Sequence, residues 1–214
     1  MGVVFAAYDE RLERKVAVKL LSGSAERKSQ ARLLREAKSM ARLRHPNVVQ
    51  VYEVGEHEGE LYIAMEFVDG VSLGAWEAEE ERSWRIVLGA YLQAAKGLAA
   101  AHAEGVVHRD FKPENVMVQR DPAGNIEVRV LDFGLARSGV SDGDSFDVRA
   151  ELLSSAEVEL TRTGKAVGTP AYMAPEQIRG RAVGPAADQH ALCVAMWQAL
   201  HGEHPFAADT MDEM

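Results

Sequence analysis

The sequence predicts an α+β protein of two lobes: a small strand-rich lobe with one helix over residues 1–68, then a larger, mainly helical lobe over residues 69–214. Three observations carry this. Strand-like runs dominate before residue 68, long helical periodicity dominates after it, and Asp69-Gly70 punctuates the change. In chain order, strands are expected at Val3–Tyr8, Lys15–Leu21, Val48–Val54 and Leu61–Phe67, with a helix over Glu26–Leu43 between the second and the third. Arg44-His45-Pro46-Asn47 stops that helix, because proline disfavours helical geometry in the residue before it. The lobes join near Glu66–Gly70. Beyond the join, helices are expected at Trp84–Glu104 and Ala187–His201, separated by short strands at Val116–Val118 and Ile126–Leu131. A polar stretch over residues 137–163, carrying Asp142, Asp144, Asp147, Glu151, Glu157 and Glu159, reads as a mobile loop. No internal repeat is evident.

The chain has 214 residues, 47% of them hydrophobic and 27% charged, enough to build packed cores and to exclude disorder as its main state. Lysine and arginine number 24 against 33 acidic residues, a formal charge of −9. Such a surface repels nucleic-acid phosphates and anionic membranes, so neither is an expected partner. The longest weakly charged run, Pro185–Leu200, falls short of the roughly 20 apolar residues that a bilayer requires and contains Asp188 and His190. It reads as a buried helix, and no membrane segment is expected. Nothing at the start resembles a signal peptide, and the one cysteine, Cys193, can form neither an internal disulfide nor a cysteine-rich zinc site. A cytoplasmic protein is the expectation.

In Val16-Ala17-Val18-Lys19-Leu20 the side chains alternate, so Ala17 and Lys19 share one face. Alone, the pentad reads more readily as an edge-strand lysine reaching solvent than as a ligand site. The predicted helix shifts that balance. Leu33, Ala37 and Met40 fall on one apolar stripe with Glu36 at its edge, and a carboxylate there needs a partner. Lys19 can supply it, and the pair would hold the lysine in place for a second anion such as a nucleotide phosphate.

The strongest signal is His108-Arg109-Asp110-Phe111-Lys112-Pro113-Glu114-Asn115, followed by Asp132-Phe133-Gly134 at the end of a strand. Asp110 could accept a proton from an incoming hydroxyl, and Lys112 could neutralise a phosphoryl group in transfer. Asn115 and Asp132 could offer oxygen to magnesium at about 2.0–2.1 Å. Phosphoryl transfer needs that set, because its catalysis is mostly positioning and charge neutralisation. Either motif alone would suit an ordinary charged turn; both together, after Lys19 and Glu36, do not.

On these residues the sequence resembles the eukaryotic-type protein kinases, and most closely the bacterial serine/threonine kinases. The resemblance implies the two-lobed kinase fold, with a mainly antiparallel small lobe, and ATP with magnesium (manganese as a substitute) as cofactors. It implies that Lys19 pairs with Glu36 and contacts the ATP phosphates, that Asp110 is the catalytic base, and that Asn115 and Asp132 hold the metal. Lys112 and the run Gly168-Thr169-Pro170-Ala171-Tyr172-Met173-Ala174-Pro175-Glu176 resemble the serine/threonine branch, with Thr169 at the substrate. By the same analogy Met65 guards the back of the adenine pocket, Glu66–Val68 form the hinge, and Val4, Ala17 and Met117 are apolar walls, although plain core packing would explain these nearly as well. Residues 132–176 resemble an activation segment in which Thr161 and Thr163 are phosphorylation sites and Arg109 the cation that pairs with the phosphate. Protein serine and threonine hydroxyls, including the chain's own, are the implied acceptors, with a homodimer as the arrangement for autophosphorylation. Asp188 reads either as a helix cap or, by family analogy, as a brace for the catalytic loop. His201 and His204 lack an evident third ligand for a metal.

The resemblance also has gaps. Met1-Gly2-Val3-Val4 resembles only the tail of a glycine-rich loop, and the last helices of the larger lobe have no counterpart after His204-Pro205-Phe206. A kinase truncated at both ends is therefore expected, and a catalytically impaired, pseudokinase-like nucleotide- or protein-binding module is the alternative.

Overall fold

A computed structural model of the chain describes residues 3–21, 39–58, 60–133, 159–160, 166–167 and 169–206. The small lobe is a four-stranded antiparallel sheet of β1 (Val4–Asp9), β2 (Arg14–Leu21), β3 (Val51–His57) and β4 (Glu60–Glu66) in the order β1-β2-β4-β3. The β1–β2 turn is held by the Asp9 carboxylate, which accepts from the amides of Arg11 and Leu12 at 3.1 and 3.2 Å. Register decides what faces the second lobe. Val4 opposes Lys19, Ala17 opposes Met65 and Lys19 opposes Ile63, so all five project from one face of the sheet. Lys19 therefore stands on an inner strand, 8% exposed, and does not reach solvent from an edge.

The third strand begins at Val51, three residues later than its apolar run suggests, because the segment before it pairs elsewhere. Val49 donates to Val130 O at 3.0 Å, Val130 donates to Asn47 O at 2.9 Å, and Val48 forms a lone parallel bridge with Val130. Residues 39–42 are helical and end ahead of Pro46, and residues 26–38 of the helix expected over Glu26–Leu43 lie outside the described residues.

The larger lobe opens with β5 (Val71–Ser72) and α1 (Leu73–Glu79), capped by Ser72 Oγ accepting from Ala75 N at 3.2 Å. Then come α2 (Trp84–Ala103), a 3₁₀ turn at Pro113–Asn115, β6 (Val116–Arg120) and β7 (Ile126–Val130), with β5-β6-β7 forming an antiparallel sheet. β8 (Glu159–Leu160) pairs with β9 (Ala166–Val167), and a 3₁₀ turn at Thr169–Tyr172 leads into α3 (Pro175–Ile178) and α4 (Pro185–His201). The last helix stops at Gly202, whose φ of 76° is open to glycine and whose N–H returns to Gln198 O at 2.8 Å. Of the buried helix expected there, α4 buries one side, through Ala187, Asp188, Ala191, Val194 and Ala195, while Cys193 is exposed.

Small residues let α2 approach its neighbours closely. Ala90, Ala94, Gly97 and Ala101 are buried along one stripe, and a Cβ on Gly97 would lie 2.4 Å from Asn47 O. Val116, Val118, Val128 and Val130 of β6 and β7, with Phe111, Phe133 and Leu98, complete one core that also takes in Met40 and Leu43 from the small lobe. No described helix is long and apolar enough to cross a membrane.

Candidate active site

The site is built from the loop between α2 and β6. His108 is fully buried against Phe111 and Phe133, with ring centroids 5.8 and 4.8 Å away. Its hydrogen bonds assign the tautomer. Asp110 N donates to Nδ1 at 3.3 Å, so Nδ1 is the bare nitrogen and Nε2–H donates to Leu131 O at 2.7 Å. Burial pushes the imidazole below its usual pKa, keeping it in that neutral form.

The next residue, Arg109, has φ 65°, a left-handed conformation that for a bulky side chain stores about 1–3 kcal/mol of strain. Its surroundings hold it there. Asp188, 1% exposed on α4, accepts from the amides of His108 and Arg109 at 2.7 and 2.8 Å and from His102 Nε2 at 2.7 Å. On the other side the Arg109 carbonyl accepts from Gln177 Nε2 at 2.7 Å. Asp188 is thus a brace for the loop and not a helix cap; the N-terminal flank of α4 is Gly184. His102 and Gln177 are site-supporting residues absent from the sequence reading. His102 had no signal beyond its place at a helix end, and Gln177 had only its adjacency to Glu176.

This bracing positions Asp110. Asn115 Nδ2 donates to the Asp110 carbonyl at 2.8 Å and to its Oδ2 at 3.3 Å, and Lys112 Nζ lies 3.8 Å from the same oxygen. Leu131 N donates to Asn115 O at 2.9 Å, which ties the loop to the segment carrying Asp132. Asp132 itself has φ 55°, and its Oδ2 meets Lys19 Nζ at 2.8 Å. Lys19, Asp110, Lys112, Asn115 and Asp132 are therefore linked across the cleft by direct contacts or one intervening residue.

Beside them is an apolar patch where Val49, Met65 and Val68 are buried with Ala17, Met117 and Leu131 packed on them. Four of its six members were expected from sequence. Val49 and Leu131 were not. Val4 is half-exposed across the strand pair from Lys19. Glu66 faces away from this patch: its carboxylate takes Arg129 Nε at 2.9 Å and Gln50 N at 3.3 Å, and its own N–H goes to Gln50 O at 2.8 Å. Any contact of Glu66 with a base must use its backbone carbonyl.

Glu36, Thr161 and Thr163 lie outside the described residues, as does the proposed Lys19–Glu36 pair. Of Thr169 the backbone is placed at the start of a 3₁₀ turn. Among the described residues no cluster of three metal-ligating side chains occurs. His204 instead binds Ala171 O at 2.8 Å and His201 stacks on Trp197 at 4.1 Å.

The protein kinase domain family matches residues 1–214. The serine/threonine-protein kinase pkn3 of Myxococcus xanthus is 38% identical over 218 residues, covering 98% of this chain and 37% of the relative. PknB of Mycolicibacterium smegmatis is 36% identical over 217 residues, covering 98% and 32%. The chain spans about a third of the length of these curated relatives. Among solved structures, the kinase domain of Mycobacterium tuberculosis PknI matches with a TM-score of 0.71 at 27% identity, covering 98% of this chain and 73% of that one. Rad53 in complex with AMP-PNP matches at the same TM-score, 0.71, with 24% identity, a likeness of fold.

Proposed function

The chain belongs to the protein kinase domain family, and from that premise we propose that it transfers the γ-phosphoryl group of ATP to serine and threonine hydroxyls of proteins, its own included. The observation that carries the proposal is the contact set across the cleft: Lys19 to Asp132 at 2.8 Å, with Asn115 and Lys112 both meeting Oδ2 of Asp110. The residues present fit magnesium and nucleotide. Asp132 and Asn115 offer hard oxygen atoms that would hold the cation, and Asn115 engages Asp110 through Nδ2, which leaves its amide oxygen available. Bound magnesium would neutralise charge on the phosphates.

The remaining work falls to side chains of this chain. Ala17, Met65, Val68, Met117 and Leu131 form an apolar patch that would take the face of the base. Lys19 is held with its ammonium in the cleft and can pair with phosphate oxygens in place of Asp132. Asp110, oriented by Asn115, accepts the proton of the incoming hydroxyl at Oδ2, and Lys112 beside that oxygen balances the charge that develops. A cytoplasmic setting follows from the donor, since ATP is held there. Phosphorylation of Thr161 and Thr163 by a second copy is the regulatory arrangement that the family resemblance supports, with Arg109 as the pairing cation.

Labelled ATP, magnesium and a generic protein substrate test this with the wild-type chain, Asp110→Asn and Lys19→Met. Transfer by the wild type that falls at least about 100-fold in both variants, with melting temperatures unchanged, supports the proposal. Equal transfer in either variant contradicts that residue's role. No transfer with nucleotide-induced thermal stabilisation retained supports the non-catalytic module instead.

A further inference from the structure

The catalytic loop is gripped from α4 by Asp188, but a second grip comes from the opposite side, at the start of α3. Gln177 is 8% exposed, and its two amide ends do different things. Oε1 accepts from Ala174 N at 3.0 Å, closing the first turn of α3 onto its own N-terminus. Nε2 leaves the helix and donates to the carbonyl of Arg109 at 2.7 Å. Arg109 is the residue with φ 65° immediately before Asp110, and its N–H is the one held by Asp188 Oδ1 at 2.8 Å. Both polar ends of one strained residue are therefore fixed by side chains from two separate helices.

We propose that Gln177 is a positioning residue for phosphoryl transfer: by clamping the Arg109 carbonyl it sets the direction in which the Asp110 carboxylate leaves the backbone. The physical reason lies in the peptide plane between Arg109 and Asp110. Its carbonyl end is the group Gln177 holds, and rotation of that plane would swing the Cα–Cβ bond of Asp110. The strained conformation persists only while its partners over-determine it. Gln177 also follows the run from Gly168 to Glu176 that resembles a peptide seat, so the same side chain mechanically joins the acceptor side of the cleft to the proton acceptor. This inference rests on the phosphotransferase reading given above.

The two ends of the amide make the test specific. Gln177→Glu keeps the oxygen that Ala174 uses and replaces the Nε2 donor by a second oxygen facing the Arg109 carbonyl. Gln177→Met keeps the size and removes both bonds. With the full chain, kcat is expected to fall about 10- to 100-fold in each variant at pH 8, with KM for ATP within about twofold of wild type. As pH is lowered toward about 5.5, the introduced carboxyl protonates and regains a donor, so activity relative to wild type at the same pH recovers in Gln177→Glu and not in Gln177→Met. The ionisable groups lining the same small cavity are Arg109, Asp110, Tyr172 and Asp188, and the wild-type profile measured in parallel corrects for them. A second readout is independent of turnover. Amide hydrogen exchange over residues 108–111 is expected to quicken several-fold in Gln177→Met while the global melting temperature changes little. Wild-type kcat and exchange in both variants, or an equal loss at every pH in Gln177→Glu and Gln177→Met, overturns the proposal. A wild-type chain that transfers nothing overturns the functional reading alone, because the exchange measurement still decides whether Gln177 holds the loop.

Discussion

Around the loop between α2 and β6, desolvation sets charge states as well as contacts. His108 is kept neutral by burial, and its donor nitrogen is thereby committed to Leu131 O. A second buried group has a measurable consequence. Glu77 on α1 accepts from the Tyr91 hydroxyl at 2.8 Å, and burial, together with the nearby Glu114, pushes its carboxyl from 4.5 up to about 7. The sign follows directly. A folded-state pKa above the unfolded one favours folding fully below about pH 4.5, and that contribution is lost as pH rises to about 7. Gln177 aside, Glu77→Gln is therefore the most informative single substitution, since it preserves the acceptor for Tyr91 and removes the titration. Its melting temperature relative to wild type is expected to be higher at pH 8 than at pH 5; a constant offset across that range would refute the assignment.

Two glycines of α2 separate the demands of an element from those of its packing. Gly89 has nothing within 4 Å of an added Cβ, whereas Gly97 would meet the Asn47 backbone oxygen at 2.4 Å. Gly89→Ala is expected to stabilise by about 0.5–1 kcal/mol through helix propensity, and Gly97→Ala to destabilise by about 1–3 kcal/mol, both read by urea unfolding. At this scale the sequence was legible where the apolar period is long. α2 and α4 were found within two residues at each end, and all four strands of the small lobe were located. Short elements were not legible: β5 has two residues and α1 only seven, with Gly74 in its first turn, so neither repeats a period often enough to register. Val48 and Val49 looked like strand residues because they are apolar and β-branched; only the fold reveals that β7 takes up their pairing. The site was legible in its residue types, since His108 to Asn115 and Asp132 are contiguous motifs. Gln177 and His102 were invisible because each acts through a partner 68 or 86 positions away.

Between the lobes, Arg129 of β7 gathers three partners. It meets Glu66 Oε1 at 2.9 Å and Glu127 Oε2 at 3.6 Å, and it donates to Pro46 O. A double-mutant cycle with Arg129→Ala and Glu66→Ala is expected to give a coupling of about 0.5–1.5 kcal/mol in unfolding free energy, and additivity would mean that the pair contributes nothing. The part of Asn47 carries further. Its side chain donates to Val128 O at 2.9 Å while its backbone oxygen receives Val130 N, so the small lobe is tacked to the large one here as well as through residues 67–70. With Arg129 on Glu66 and on Pro46 O and Val49 on Val130 O, all of these bonds use β7, so that one strand rivets the halves together and a perturbation of it is felt in both.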